Sequence, residues 1–219
     1  QADDGDDARS PSQQSSSGTK MAILLLVRSS IPTAPIWEAF FGDDPTRQLY
    51  SIYSHPGPGH RLSGFFAGTE IENRTTVTWG ALTVAKAEML LVRAALSDPR
   101  NGKFILVSES CVPVHPLRCV YDFAMTSPSM VATGKTLERA NMYDFGAFDA
   151  FVKRRWRKGH QWVLLARREA LLVADEDWYD AFFKAHASTP VASEFRDKYT
   201  KKTGRHDGDS IHHSFADEH

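Results

Sequence analysis

Apolar residues fall into short, separated blocks along the chain, and the spacing inside each block predicts its element. Residues 21–27 form a continuous apolar run. A strand buried on both faces, as in a parallel sheet, has this pattern. Pro32 and Pro35 break the chain. Pro35 suits the first turn of a helix running through Trp37, Phe40 and Phe41. Residues 49–54 predict a second strand, stopped by His55-Pro-Gly-Pro-Gly, a strong loop signal. Residues 60–78 are irregular. Leu82, Ala85, Met89, Val92 and Leu96 recur at helical spacing over residues 81–97. Residues 104–107 predict a third strand and 116–125 a short helix. Residues 126–147 carry mixed turn signals and no assignable element. Residues 161–165 predict another strand and 167–186 one or two helices.

Strand, helix, strand, helix, strand with short connections predicts an α/β fold: a parallel or mixed sheet flanked by helices. In open α/β sheets, ligands bind at the carboxyl ends of the strands. That rule singles out residues 28–33, 55–60 and 108–114 as candidate site loops. Residues 1–20 are rich in Asp, Ser and Gln with almost no apolar content. They are expected to be a disordered lead-in, leaving 21–219 as the domain.

Composition narrows this only a little. The 219 residues are 42% hydrophobic and 24% charged, which is ordinary for a globular domain. The net charge of −1 gives no reason to expect nucleic acid or an anionic membrane as partner. The longest apolar run is less than half of the roughly 20 residues that span a bilayer, and acidic residues precede it where a signal peptide has basic ones. Cys111 and Cys119 have no zinc-ligand spacing. One bridge between them and two free buried thiols both remain open. Asn73-Arg74-Thr75 fits an N-glycosylation acceptor.

Several segments offer chemistry, each with a plainer reading beside it. Ser108, Glu109 and Ser110 follow a buried strand. A carboxylate between two hydroxyls suits a sugar or ribose, but polar residues there also suit a helix cap. Neither G-x-G-x-x-G nor a phosphate loop of the G-x-x-x-x-G-K-[ST] type occurs. The prolines of the 55–59 loop lack N–H groups and make it a poor phosphate cradle. The Asp-x-Asp pair by which many sugar-nucleotide enzymes hold manganese is absent from the strand-end loops. Asp207-Gly-Asp209 has that spacing in a polar stretch far from them. His206, His212, His213 and His219 gather with Asp207, Asp209, Asp217 and Glu218. A metal cluster and a solvated loop both fit, and the spacing matches no known ligand motif. The basic run 153–158, interleaved with Trp156 and followed by Trp162, suits either a diphosphate or a solvated face.

Taken in order, the motifs resemble the plant and algal branch of the core-2/I-branching β-1,6-N-acetylglucosaminyltransferases, glycosyltransferase family 14. They are Met21-Ala-Ile-Leu-Leu-Leu-Val-Arg28 with Pro35-Ile-Trp37-Glu-Ala-Phe-Phe41, then Leu49-Tyr-Ser-Ile-Tyr-Ser-His55-Pro-Gly57, then Val77-Thr-Trp79-Gly-Ala-Leu82. Phe104-Ile-Leu-Val-Ser108-Glu-Ser-Cys-Val-Pro113, Trp156-Arg-Lys-Gly-His-Gln-Trp162 and Asp217-Glu218-His219 complete the set. The resemblance implies a GT-A-like fold, incomplete at the C-terminus, and an inverting transfer from a UDP-sugar to a glycan or glycoprotein hydroxyl. It implies Glu218 as the general base. Trp79, Ser108, Glu109, Ser110, Lys158, Gln161, Trp162 and Asp217 are implied to lie against the donor or acceptor. No metal cofactor is expected. A type II Golgi membrane protein with a luminal domain is implied, its anchor lying outside these residues, which would make Asn73 an accessible acceptor. The chain ends one residue after Glu218. Relatives continue into a helix and a basic segment that neutralises the diphosphate, so weak or no transfer is expected of these residues alone. Two other readings stay open: a non-catalytic glycan- or partner-binding domain of the same fold, and a metal-dependent hydrolase built on the C-terminal His/Asp/Glu cluster.

Overall fold

The computed structural model describes residues 18–78, 83–134 and 158–175. Five strands form one sheet: β1 (Lys20–Leu26), β2 (Tyr50–His55), β3 (Asn101–Ser108), β4 (Met130–Gly134) and β5 (Lys158–Ala166), in the order β2-β1-β3-β5-β4. Strands β1, β2 and β3 run parallel. Strand β5 is antiparallel to β3, and β4 to β5. The helices are α1 (Ala34–Phe41), α2 (Thr83–Leu96), α3 (Leu117–Thr126) and α4 (Arg167–Val173), with a 3-10 turn at Gly64–Phe66. This is the expected α/β, GT-A-like architecture, with a mixed sheet.

The position of β1 explains its unbroken apolar run. It is flanked by β2 and β3 and covered on both faces, and its first six residues are buried. Successive side chains point to opposite faces. Met21, Ile23 and Leu25 pack with Trp37, Phe40 and Phe41 of α1, with Tyr50 and Phe66, and with Leu117 and Ala124 of α3. Ala22 and Leu24 pack on the other side with Leu91, Val92 and Ala95 of α2, with Phe104 and Leu106, and with Ala170 of α4.

Polar anchors close the ends of these elements. Asn101 is fully buried, yet its amide donates to the Ala95 carbonyl at 2.8 Å and to the Tyr53 hydroxyl at 3.0 Å, and accepts from Ser51 Oγ at 2.7 Å. That satisfaction lets β3 start at Asn101, earlier than the apolar run alone predicts. The Arg167 guanidinium donates to the carbonyls of Leu96, Asp98 and Asn101 at 2.8–3.1 Å. Those carbonyls lie at and beyond the end of α2, where a cation is favoured.

The structure corrects three expectations. Strand β4 lies within residues 126–147, where the pattern predicts no element. Strand β1 starts at Lys20, one residue inside the expected lead-in; residues 1–17 lie outside the described residues. The cysteines are free, with Cys119 exposed and Cys111 half-buried, so they are neither bridged nor both buried. Cys119 sits on the solvent side of α3, whose buried residues are Leu117 and Ala124.

Candidate active site

The parallel strands end in register: Leu26 of β1 pairs with His55 of β2 and with Ser108 of β3. The three candidate loops therefore leave one edge of the sheet side by side. Backbone bonds join them there. The Val27 amide donates to the His55 carbonyl at 3.2 Å, and the Glu109 amide to the Leu26 carbonyl at 3.2 Å. The Gly57 amide donates to the Arg28 carbonyl at 3.3 Å. A Cβ on Gly57 would stand 3.2 Å from the His60 ring and 3.4 Å from that carbonyl, so glycine permits the close approach. Gly59 has φ +83°, a turn conformation that costs other L-residues about 1–2 kcal/mol.

Ser108, Glu109 and Ser110 form a tight turn. The Cys111 amide donates to the Ser108 carbonyl at 3.1 Å. The Ser108 and Ser110 hydroxyls lie 2.9 Å apart, and the Ser110 amide donates to Ser108 Oγ at 3.3 Å. The Ser108 amide donates to Cys111 Sγ at 3.4 Å. The Glu109 carbonyl accepts from Thr33 Oγ1 at 3.0 Å. Glu109 thus has its amide and its carbonyl both held, while its half-buried carboxylate meets no partner among the described residues. A fixed backbone carrying a free carboxylate at a strand end can accept hydrogen bonds from sugar hydroxyls.

Of the other expected site residues, β5 carries three. It runs antiparallel to β3, so its first residues lie toward the carboxyl end of β3. Lys158 opens β5 and pairs with Gly134. Gln161 shares the sheet face of Val163 and Leu165, which α2 covers, and its amide donates to the Glu88 carboxylate of α2 at 2.8 Å. Trp162 shares the opposite face with Leu164 and is 42% exposed. The sheet thus separates Gln161 from Trp162. Asn73 is exposed in the irregular stretch 71–78. Trp79, Asp217 and Glu218, the basic run before Lys158, and the His/Asp/Glu cluster lie outside the described residues. Among the described residues, no group of three or more His, Cys, Asp or Glu side chains is arranged to hold a metal ion, and no helix is long and apolar enough to cross a membrane.

The profile of the core-2/I-branching enzyme family matches residues 21–212. The chain belongs to the core-2/I-branching enzyme family. A rice protein (Oryza sativa subsp. japonica), Glycosyltransferase BC10, is 33% identical over 185 residues, covering 81% of this chain and 46% of the rice protein. This core-2/I-branching chain therefore spans about half the length of that relative.

One residue of this family member's site edge was not singled out by its own pattern. His55 reads as the start of a loop, yet it ends β2 fully buried. Its Nε2 accepts from the Thr75 amide at 3.1 Å, so in the neutral ring the proton sits on Nδ1, which has no hydrogen-bond partner among the described residues. Burial is the larger influence on the ring and pushes its pKa down; its own backbone carbonyl, too poorly aligned to form a hydrogen bond, opposes this weakly, and the Arg74 guanidinium adds to the depression. Below the ordinary value of 6.5 the unfolded ring takes up a proton that the folded ring refuses. Stability is therefore expected to fall as pH drops from about 6.5 toward the folded pKa. Glu70 acts lower. Burial pushes its carboxyl up, but bonds from the Leu62, Glu70 and Gly68 amides outweigh that and hold it below 4.5. Its contribution is complete above 4.5 and is lost as pH falls through the folded value. Denaturation midpoints between pH 7.5 and 5 measure the histidine's share. The slope should flatten in His55→Asn, and equal slopes in the two proteins would assign the effect elsewhere.

Proposed function

We propose that the protein transfers a sugar, with inversion, from a UDP-sugar to a hydroxyl of a glycan or glycoprotein, with Glu218 as general base. The observation that carries the reading is the Ser108–Ser110 turn: in a member of a glycosyltransferase family, it presents a backbone-held carboxylate, with no partner among the described residues, at the carboxyl edge of three parallel strands. In such a transfer the acceptor hydroxyl attacks the anomeric carbon as UDP leaves from the opposite face. The new glycosidic bond forms as the bond to the diphosphate breaks. The acceptor proton passes to the base, because a hydroxyl is a weak nucleophile at neutral pH.

The test is release of UDP by the full-length protein, supplied with a panel of UDP-sugars and glycan acceptors. Acceptor-dependent UDP release that persists in EDTA is expected. Intact glycan binding with no UDP released from any donor would favour a non-catalytic binding domain, and release that needs added metal would remove the metal-independent part of the reading.

The same reading places the domain in the Golgi lumen as part of a type II membrane protein. The exposure of Asn73, in a stretch with no helix or strand, supports it as an acceptor for an N-linked glycan. Protein expressed in plant or algal cells is expected to lose mass on treatment with an N-glycan amidase active on glycans from those cells. That loss should vanish in Asn73→Gln. An unchanged mass in the wild type would exclude the modification.

A further inference from the structure

Thr33 stands immediately before α1, where a threonine hydroxyl ordinarily accepts a hydrogen bond from the first amides of its own helix. It makes no such bond here. Its Oγ1 instead faces two carbonyls of the Ser108–Cys111 turn, Glu109 at 3.0 Å and Cys111 at 3.3 Å. One helical turn later, Trp37 Nε1 donates to the same Cys111 carbonyl at 3.0 Å. That carbonyl has two lone pairs and can take both donors. The Trp37 ring is itself fixed, buried and stacked on Phe41 with centroids 5.6 Å apart. From the other side, the Glu109 amide is bound to Leu26. The start of α1 and the end of β1 therefore grip the turn around Glu109, over a separation of 74–78 residues for the side-chain bonds.

We propose that Thr33 and Trp37 are positioning residues, which hold the Ser108–Cys111 turn so that the Glu109 carboxylate meets the hydroxyls of a bound sugar. The catalytic part of this rests on the glycosyltransferase reading above; the hold on the turn does not. Thr33→Val keeps the shape and removes the donor proton, whereas Thr33→Ser keeps the proton.

Hydrogen exchange of the Ser110 and Cys111 amides reads the hold directly. Exchange roughly 3- to 10-fold faster is expected in Thr33→Val, with Thr33→Ser close to wild type. In transfer assays on the full-length protein, Thr33→Val should raise the KM for one sugar substrate by a similar factor, with a smaller change in kcat. It should add nothing in a Glu109→Ala background, because the effect runs through Glu109. Thr33→Ala serves as a second variant if the valine protein folds poorly. Wild-type exchange rates at Ser110 and Cys111 in both variants would overturn the proposal, as would a full Thr33→Val effect on KM when Glu109 is already alanine. A wild-type protein that releases no UDP would defeat the glycosyltransferase reading, and the exchange rates would still decide whether Thr33 holds the turn.

Discussion

Replacing Glu218 by glutamine in the full-length protein is expected to lower kcat for sugar transfer by about 10²–10⁴-fold, the usual worth of a positioned general base. Glutamine has the size of glutamate and can still accept a hydrogen bond from the acceptor hydroxyl. It cannot take the proton as the hydroxyl attacks. Ground-state binding should therefore change little, and kcat and kcat/KM should fall together. The assignment rests on Asp217-Glu218-His219, so it needs a competitor. Glu109 is that competitor, because its carboxylate meets no partner among the described residues at the site edge while its backbone is held on both sides. If Glu109 binds sugar hydroxyls, Glu109→Gln should raise KM and leave most of kcat. Kinetic assay of the two single variants separates the roles. A loss of 10²-fold or more in kcat for Glu109→Gln, with little change for Glu218→Gln, would exchange them.

The two carboxylates also show how far the chain's pattern could be read. Glu109 was legible by position alone: it follows an apolar run long enough to be a buried strand, and ligands gather at such strand ends. Glu218 had no comparable signal in spacing, only a place in a polar, His-rich stretch, and resemblance alone raised it. Strands β1, β2 and β3 and helices α1, α2 and α3 were legible because each is a block of apolar residues bounded by Pro, Gly or Asn, with helical spacing plain in α2. Strand β4 was not. It has five residues, follows Ser-Pro-Ser, and leaves Met130 and Val131 about half exposed, so neither alternation nor an apolar run marks it. The grip on Glu109 was hidden for another reason. Thr33 before Ala34-Pro35 reads locally as a helix cap, and only the folded chain shows its hydroxyl turned to carbonyls 76 and 78 residues away. His55 was hidden in the same way: Pro56 and Gly57 announce a loop, while pairing with Leu26 keeps the histidine in the sheet.

The largest effect on stability is expected at Phe41, which joins the site's supporting helix to the sheet. Phe41 is 1% exposed. Its ring stacks on Tyr50 at 4.1 Å, on Phe65 at 5.5 Å and on Trp37 at 5.6 Å, and meets Phe40 edge-on at 4.9 Å. Phe41→Ala removes the ring from the middle of this group, and stiff aromatic neighbours collapse poorly into the space left. A loss of about 3–5 kcal/mol is expected, a large part of the roughly 5–15 kcal/mol that holds a typical domain folded. The urea midpoint should fall by about 1 M or more at unchanged slope. Phe123 is the contrast: it is 57% exposed on α3, and Phe123→Ala should cost under about 0.5 kcal/mol. Equal small losses in the two variants would mean that α1 is not packed on β2 through Phe41. The expected difference bears on function as well. Trp37 stacks on Phe41 and bonds to Cys111, so a cavity at Phe41 should also loosen the Glu109 turn. Faster amide exchange at Cys111 in Phe41→Ala, under conditions where the protein remains folded, is the observable that ties the core to the site.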